Sequence, residues 1–103
     1  MTSRILAALV ALVPTISPAA ELDGCRWNGI DLWGDVQVVE SFPDIKVRIV
    51  TSFPDLNVKV VESFPDSCGK WRFVESFPDF KIQFVESFPD IEIEYVDSFP
   101  GLD

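Results

Sequence analysis

Apolar and polar residues alternate along most of the chain in short stretches of about five residues. In residues 45–49, IKVRI, every second residue is apolar and the residues between them are basic. The same pattern returns in LNVKV, FKIQF and IEIEY, which begin at residues 56, 80 and 91. A period of two, with many β-branched and aromatic residues, predicts a β-strand with one buried face. No helical period occurs after residue 20.

Each strand pattern is followed by a valine and then by Glu-Ser-Phe-Pro-Asp or a close variant of it. The serines of this motif lie at positions 41, 52, 63, 76, 87 and 98, at intervals of 11, 11, 13, 11 and 11 residues. The valine directly follows another apolar residue, which indicates a bulge or a change of face. Because proline disfavours helix at the residue before it and presets a turn, we expect an extended phenylalanine and a tight turn centred on Pro-Asp.

One such unit offers three or four apolar side chains and a phenylalanine, too few to form a core alone. We therefore expect about six 11-residue units to share one core in a single small all-β domain. The units could be arranged in three ways: an antiparallel meander, a parallel solenoid, or a chain wound around the core more than once. Stacking in register would align the motif's aspartates about 4.8 Å apart, at a cost of about 1 kcal/mol per pair. This favours the wound arrangement.

The first 20 residues have the order of a secretory signal peptide. Arg4 is followed by an apolar run over 5–13 and by small residues that end at Ala20. The run is shorter than the roughly 20 residues that span a bilayer, and no later segment is long enough. We expect removal of 1–20, a periplasmic or secreted location, and one β domain over 21–103. Within it, 21–35 is a degenerate first repeat or cap, and 36–103 holds the regular repeats.

Two cysteines, Cys25 and Cys68, lie in the exported part, where oxidation is permitted, so a disulfide between them is expected. Cys68 lies in the two-residue insertion that lengthens the third interval, and the bond would attach the cap to the fourth unit. The alternative is a lipoprotein, because LDGC at 22–25 loosely resembles a lipid-attachment sequence.

Charge and residue types exclude several classes of function. Residues 21–103 hold 17 acidic and 7 basic side chains, which argues against nucleic acid and anionic membranes as partners. The chain has no histidine, paired cysteines leave no thiol, and the repeated serines lack a histidine partner. We therefore expect no catalytic residue, no metal site, no cofactor and no enzymatic activity.

The repeated unit V-x-V-V-E-S-F-P-D, which extends over residues 36–100 behind the signal sequence, resembles the 7(1) septoil knot domain family of small bacterial proteins. The resemblance implies a small all-β fold in which successive units wind about a common core and the backbone forms a knot with seven crossings. It implies no activity and no functional residues. Without it, a true knot would not be expected, because knots are essentially absent from ordinary folds.

Three functions follow from these observations. The first is an exported, monomeric structural or binding module that is not an enzyme and whose winding resists unfolding and proteolysis. Trp27 and Trp33 are its candidate partner surface because they lie where the repeat is least regular. Trp71 instead occupies a position of the alternating pattern that is expected to face the core. The second is a calcium-dependent surface protein that uses the acidic turns. The third is a small hydrolase that uses a Glu and Asp pair.

Overall fold

The computed structural model describes residues 21–103, and the signal sequence predicted for 1–20 lies outside them. This part of the chain contains β-strands and no helix, which confirms the all-β prediction. The strands are β1 (Arg26–Trp27), β2 (Ile30–Asp31), β3 (Gly34–Val38), β4 (Ile45–Ile49), β5 (Leu56–Val60), β6 (Lys70–Phe73), β7 (Phe80–Phe84) and β8 (Ile91–Tyr95). The two shortest strands, β1 and β2, form an antiparallel hairpin in the cap region.

Strands β3 to β8 form a closed barrel in which every neighbouring pair is parallel. The order around the barrel is β3, β7, β4, β8, β5, β6 and back to β3. The chain thus places β3, β4 and β5 at alternate positions on a first circuit and fills the gaps with β6, β7 and β8 on a second. A chain wound twice around one core is therefore confirmed, and a meander or a stacked solenoid is excluded.

Each barrel strand divides its hydrogen bonds between two neighbours. In β7, residues 80–82 pair with β3, and residues 82–84 pair with β4. This staggered pairing leaves no strand of the barrel with an open edge, and a closed sheet cannot add a foreign strand in the way that an open sheet can.

The core follows from the alternation, because the first and third residues of most barrel strands point inward. These side chains are at most 2% exposed: Val36, Ile45, Val47, Leu56, Val58, Trp71, Phe80, Ile82, Ile91 and Ile93, with Leu32 from the cap. Trp71 has the predicted inward phase, and its indole Nε1–H donates to the Leu32 carbonyl at 3.1 Å. The Trp71 ring also packs edge-on against Phe80, with centroids 5.7 Å apart, so the bulkiest side chain of the core is held both by packing and by a hydrogen bond.

The two-residue insertion lies where the second circuit begins. The step from β5 to β6 joins strands that are direct neighbours, whereas the other steps between barrel strands pass over one strand. Gly69 has φ +83°, and a Cβ there would overlap the Asn57 carbonyl and the Gly101 nitrogen, so the close approach requires glycine. Cys68 forms the predicted disulfide with Cys25, across 43 residues of sequence. The insertion thus shifts the second circuit into the gaps of the first and attaches the cap.

The loops between strands cross over the outside of the barrel. The Val39 N–H donates to the Ile82 carbonyl at 2.8 Å, and the Asp44 N–H donates to the Lys81 carbonyl at 2.9 Å. Carbonyls of adjacent strand residues point to opposite sides of the strand, so residues 40–43 pass from one side of β7 to the other. The Gln83 side chain, which points outward, donates to the Glu40 carbonyl at 2.9 Å. We call each such four-residue crossing an arch.

The same bonds recur along the chain, with a different strand beneath each arch. Arches over 40–43, 51–54, 75–78, 86–89 and 97–100 cross β7, β8, β3, β4 and β5, respectively. The arch over 62–65 is held on β6 through the Val61 N–H, which donates to the Trp71 carbonyl at 2.9 Å. The three arches that follow strands of the first circuit are therefore held on strands of the second, and the three that follow strands of the second are held on strands of the first. The knot expected from the family resemblance requires such interlacing and itself stays a prediction.

In four of the six units the motif aspartate directly follows the arch and is bonded twice to one residue of the strand beneath. The carboxylate of Asp90 accepts the Lys46 N–H at 2.8 Å, while the Asp90 N–H donates to the Lys46 carbonyl at 2.7 Å. The pairs Asp44–Lys81, Asp55–Glu92 and Asp79–Asp35 repeat this arrangement. The expected tight turn centred on Pro-Asp is therefore wrong. These carboxylates do not simply face water, because each satisfies an N–H of the strand below.

Replacing Asp90 with alanine should lower the free energy of unfolding by about 1 kcal/mol, because the Lys46 N–H loses its acceptor. The matched control is Glu86→Ala in the same arch, where the exposed side chain should change stability by less than about 0.5 kcal/mol. Urea denaturation of both variants measures the difference. Equal losses in the two variants would contradict the structural role of the aspartate.

Candidate interaction surface

The phenylalanines of the six motifs point into solvent. Their exposed fractions lie between 76% and 94%, although they are large apolar side chains. The expectation that they contribute to the shared core is therefore wrong, because the barrel is filled by the strand residues and the cap alone. We call these six side chains the phenylalanine girdle: Phe42, Phe53, Phe64, Phe77, Phe88 and Phe99.

The girdle residues also have an unusual backbone conformation. Their φ angles lie between +52° and +57°, the left-handed region that glycine and asparagine favour and bulky residues avoid. The extended geometry predicted from the following proline is therefore wrong. Both ends of the arch are bonded to adjacent residues of one strand, so the chain must reverse within four residues, while proline disfavours the right-handed alternative. A left-handed residue costs roughly 1–2 kcal/mol relative to the right-handed form.

The topology distributes the girdle around the whole circumference of the barrel. Each arch is held on a different strand, and the bonded residues are the second and third of that strand in the five arches attached at both ends. The order of the strands then gives the order of the rings: Phe77, Phe42, Phe88, Phe53, Phe99 and Phe64. The protein thus presents six separate aromatic side chains at regular intervals around one axis.

An acidic residue lies two positions before the phenylalanine in five of the six arches. These residues are exposed: Glu40, Glu62, Glu75, Glu86 and Asp97. Their place in the second arch is taken by Thr51. The serine between acid and phenylalanine is also exposed in every arch. Each arch therefore displays an aromatic ring together with a hydroxyl group, and five of the six arches also display a carboxylate group.

A second apolar feature lies at the end of the barrel where the parallel strands finish. The last inward-facing residue of each strand is 38–48% exposed there: Val38, Ile49, Val60, Phe73, Phe84 and Tyr95. Partial burial raises the pKa of the Tyr95 hydroxyl above its ordinary value, because the anion would lose hydration. This end of the core is lined by apolar groups that remain in partial contact with water.

The two tryptophans proposed as a partner surface lie in the cap. Trp27 is partly buried against the core, beside Cys25 and Ile30. Trp33 lines an open cleft of about 530 Å³ together with Asp31, Asp66, Asp79, Pro65 and Phe80. The carboxylates of this cleft have protein partners: Asp31 lies 3.0 Å from Arg26, and Asp79 accepts the Asp35 N–H. A partner role for Trp27 and Trp33 stays a prediction.

A bidentate ion pair joins the outer faces of β3 and β6. Arg72 donates to both carboxylate oxygens of Asp35, at 2.7 and 3.1 Å. This hydrogen bonding lowers the pKa of Asp35 below its ordinary value and raises that of Arg72. Arg48 forms a similar pair with Glu92. Within residues 21–103 no three metal-ligating side chains converge, and both carboxylate pairs serve to join neighbouring strands.

Fold and surface together define a small barrel of six parallel strands that is wound twice and displays its loops around the outside. The family model of the 7(1) septoil knot domain matches residues 29–103, and the chain belongs to this family. The match covers the whole barrel and begins within the cap hairpin. No curated protein matches the chain. None of the described residues forms a helix that is long and apolar enough to cross a membrane.

The pairing of Asp35 with Arg72 predicts a pH dependence of stability. Because the folded state lowers the pKa of Asp35, the stabilisation is present above the ordinary carboxyl pKa and disappears as pH falls through the lowered value. Thermal melts between about pH 5 and pH 2 should therefore show a smaller loss of stability in Arg72→Gln than in the wild type. Lys59→Gln, which removes a cation that forms no salt bridge with a described carboxylate, is the control and should retain the wild-type slope. Identical slopes for all three proteins would contradict this assignment.

Replacing Phe88 with asparagine should raise the free energy of unfolding by about 0.5–1 kcal/mol, because asparagine tolerates the left-handed conformation and an exposed ring contributes little burial. The control is Phe84→Asn in the preceding strand, where a partly buried ring is removed and stability should fall. Denaturant titration measures both. A loss of stability in Phe88→Asn would show that the ring packs on the protein.

Proposed function

We propose that the protein is an exported, non-catalytic structural module that resists unfolding and proteolysis and carries binding loops on its surface. The observation that carries this proposal is the attachment of each arch to the strand beneath it, within a barrel that has no open edge. A protease must bind an extended segment of several residues, and such a segment is released only when these bonds open. Export is supported by the order of residues in 1–20.

The same features support monomeric behaviour. The closed barrel offers no strand edge for pairing with a second chain. Residues 21–103 carry 17 acidic and 7 basic side chains, so two copies repel one another at neutral pH. We therefore propose a monomer that acts through its loops and not through an assembled active site.

The alternatives have weaker support. Four of the motif aspartates already accept a hydrogen bond from a strand N–H group. A calcium ion bound to these carboxylates would have to compete with those hydrogen bonds. A hydrolase would need one asymmetric pair of carboxylates with separated pKa values. The acids of the arches instead repeat once per unit and are exposed. Structural and binding roles account for these residues with fewer assumptions.

Limited proteolysis with a broad-specificity protease tests the proposal. The oxidised protein should be cleaved at least 100-fold more slowly than the Cys25→Ser/Cys68→Ser variant, since a disulfide that closes a long loop adds about 3–4 kcal/mol in the chain-entropy model. An unrelated all-β domain of similar length and melting temperature serves as the reference. Cleavage of the oxidised protein as fast as that reference would contradict the proposal.

A further inference from the structure

The phenylalanine girdle has a cost that the fold itself does not require. Six large rings are 76–94% exposed, and each lies in a backbone conformation that bulky residues avoid. Glycine or asparagine at the same positions would allow the arch with less strain and expose less apolar surface. The retention of phenylalanine in all six arches therefore points to a use of the ring outside the protein.

From the chemistry of the arches we infer that the girdle binds a basic polypeptide segment that carries several lysine or arginine side chains. The face of a phenylalanine ring attracts a cation, and a carboxylate of the same arch can accept a charge-assisted hydrogen bond from a basic side chain. Five of the six arches provide such a carboxylate two residues before the ring. This inference rests on the proposed function only in requiring that the barrel hold the arches in place.

Charge complementarity distinguishes this occupant from the others that exposed rings can attract. A second copy of the chain brings the same excess of 17 acidic over 7 basic residues and is repelled. Anionic lipid is disfavoured by the same charge. A zwitterionic bilayer presents one plane, whereas the girdle encircles the barrel, so only some rings could insert at once. A flexible basic chain can contact successive rings around the circumference.

The repetition of the arch suits a partner in which cations also recur. Neighbouring rings in space, such as Phe42 and Phe88, come from different circuits of the chain and rest on adjacent strands β7 and β4. Each single contact is weak because it is exposed, but contacts made by one connected partner add up through high effective concentration. Affinity is therefore expected to depend on the number of rings and not on any one of them.

The experiment measures binding of poly-L-arginine to the purified, oxidised protein by calorimetry at physiological ionic strength. The test variant carries Phe42→Leu, Phe77→Leu and Phe88→Leu, which are consecutive on the girdle and leave the net charge unchanged. Loss of three cation–π contacts should weaken binding about tenfold or more. The matched variant, with tyrosine at the same three positions, keeps the aromatic faces and should bind within about threefold of the wild type. Melting temperatures and the proteolysis assay confirm that all three proteins are folded.

Each outcome bears on the inference separately from the proposed function. Equal binding by the wild type and the leucine variant would show that net charge alone attracts the polycation, and this would overturn the inference while protease resistance could still hold. Absence of binding by the wild type would overturn it as well. Ring-dependent binding to phosphatidylcholine vesicles, or ring-dependent self-association in sedimentation, without binding to poly-L-arginine would replace the basic polypeptide with a different occupant.

Discussion

The double hydrogen bond between a motif aspartate and one strand residue is the interaction on which the remaining structure depends. It satisfies the N–H and the carbonyl of a strand residue that the staggered pairing would otherwise leave to solvent, and it fixes where the next strand begins. Because the same double bond follows four of the six arches, it fixes the register of the barrel separately in each of these four repeats. In the last repeat Gly101 replaces the aspartate and exchanges both backbone hydrogen bonds with Asn57, each at 2.8 Å, so the barrel closes without a further carboxylate.

The distribution of apolar residues divides the protein into a core that specifies the fold and a surface that does not. Strand residues and Leu32 fill the barrel, with Trp71 as the largest member. The girdle phenylalanines lie outside and are held in a left-handed backbone by the arches. A sequence selected for stability alone would place smaller or glycine residues there. Stability and surface chemistry thus depend on different residues of the same 11-residue unit. The residues of the girdle can be substituted without changing those that fill the core.

The alternation in IKVRI and its relatives was sufficient to predict strands, their buried face and a shared core, because period-two patterning reports directly on burial. The wound arrangement followed from the repulsion that stacked aspartates would suffer, and the disulfide followed from two cysteines in an exported chain. The orientation of Phe42 and its equivalents could not be predicted in this way, since residue type favours burial whereas the arch is fixed by long-range bonds to another circuit. The polar neighbours Ser41 and Glu40 were the one local signal that this position faces water. The use of Asp90 as an acceptor for Lys46 likewise depends on a contact across 44 residues.

The interlacing of the two circuits has a consequence for how the molecule opens. The arch over residues 40–43 covers β7, which is synthesised later, while the arch over 86–89 covers β4, which is synthesised earlier. Neither half can therefore complete its hydrogen bonds without the other, and no group of strands forms a separable subunit of stability. Amide hydrogens of β3 to β8 should accordingly share one exchange free energy, that of global unfolding, in place of the graded series that most domains of this size display.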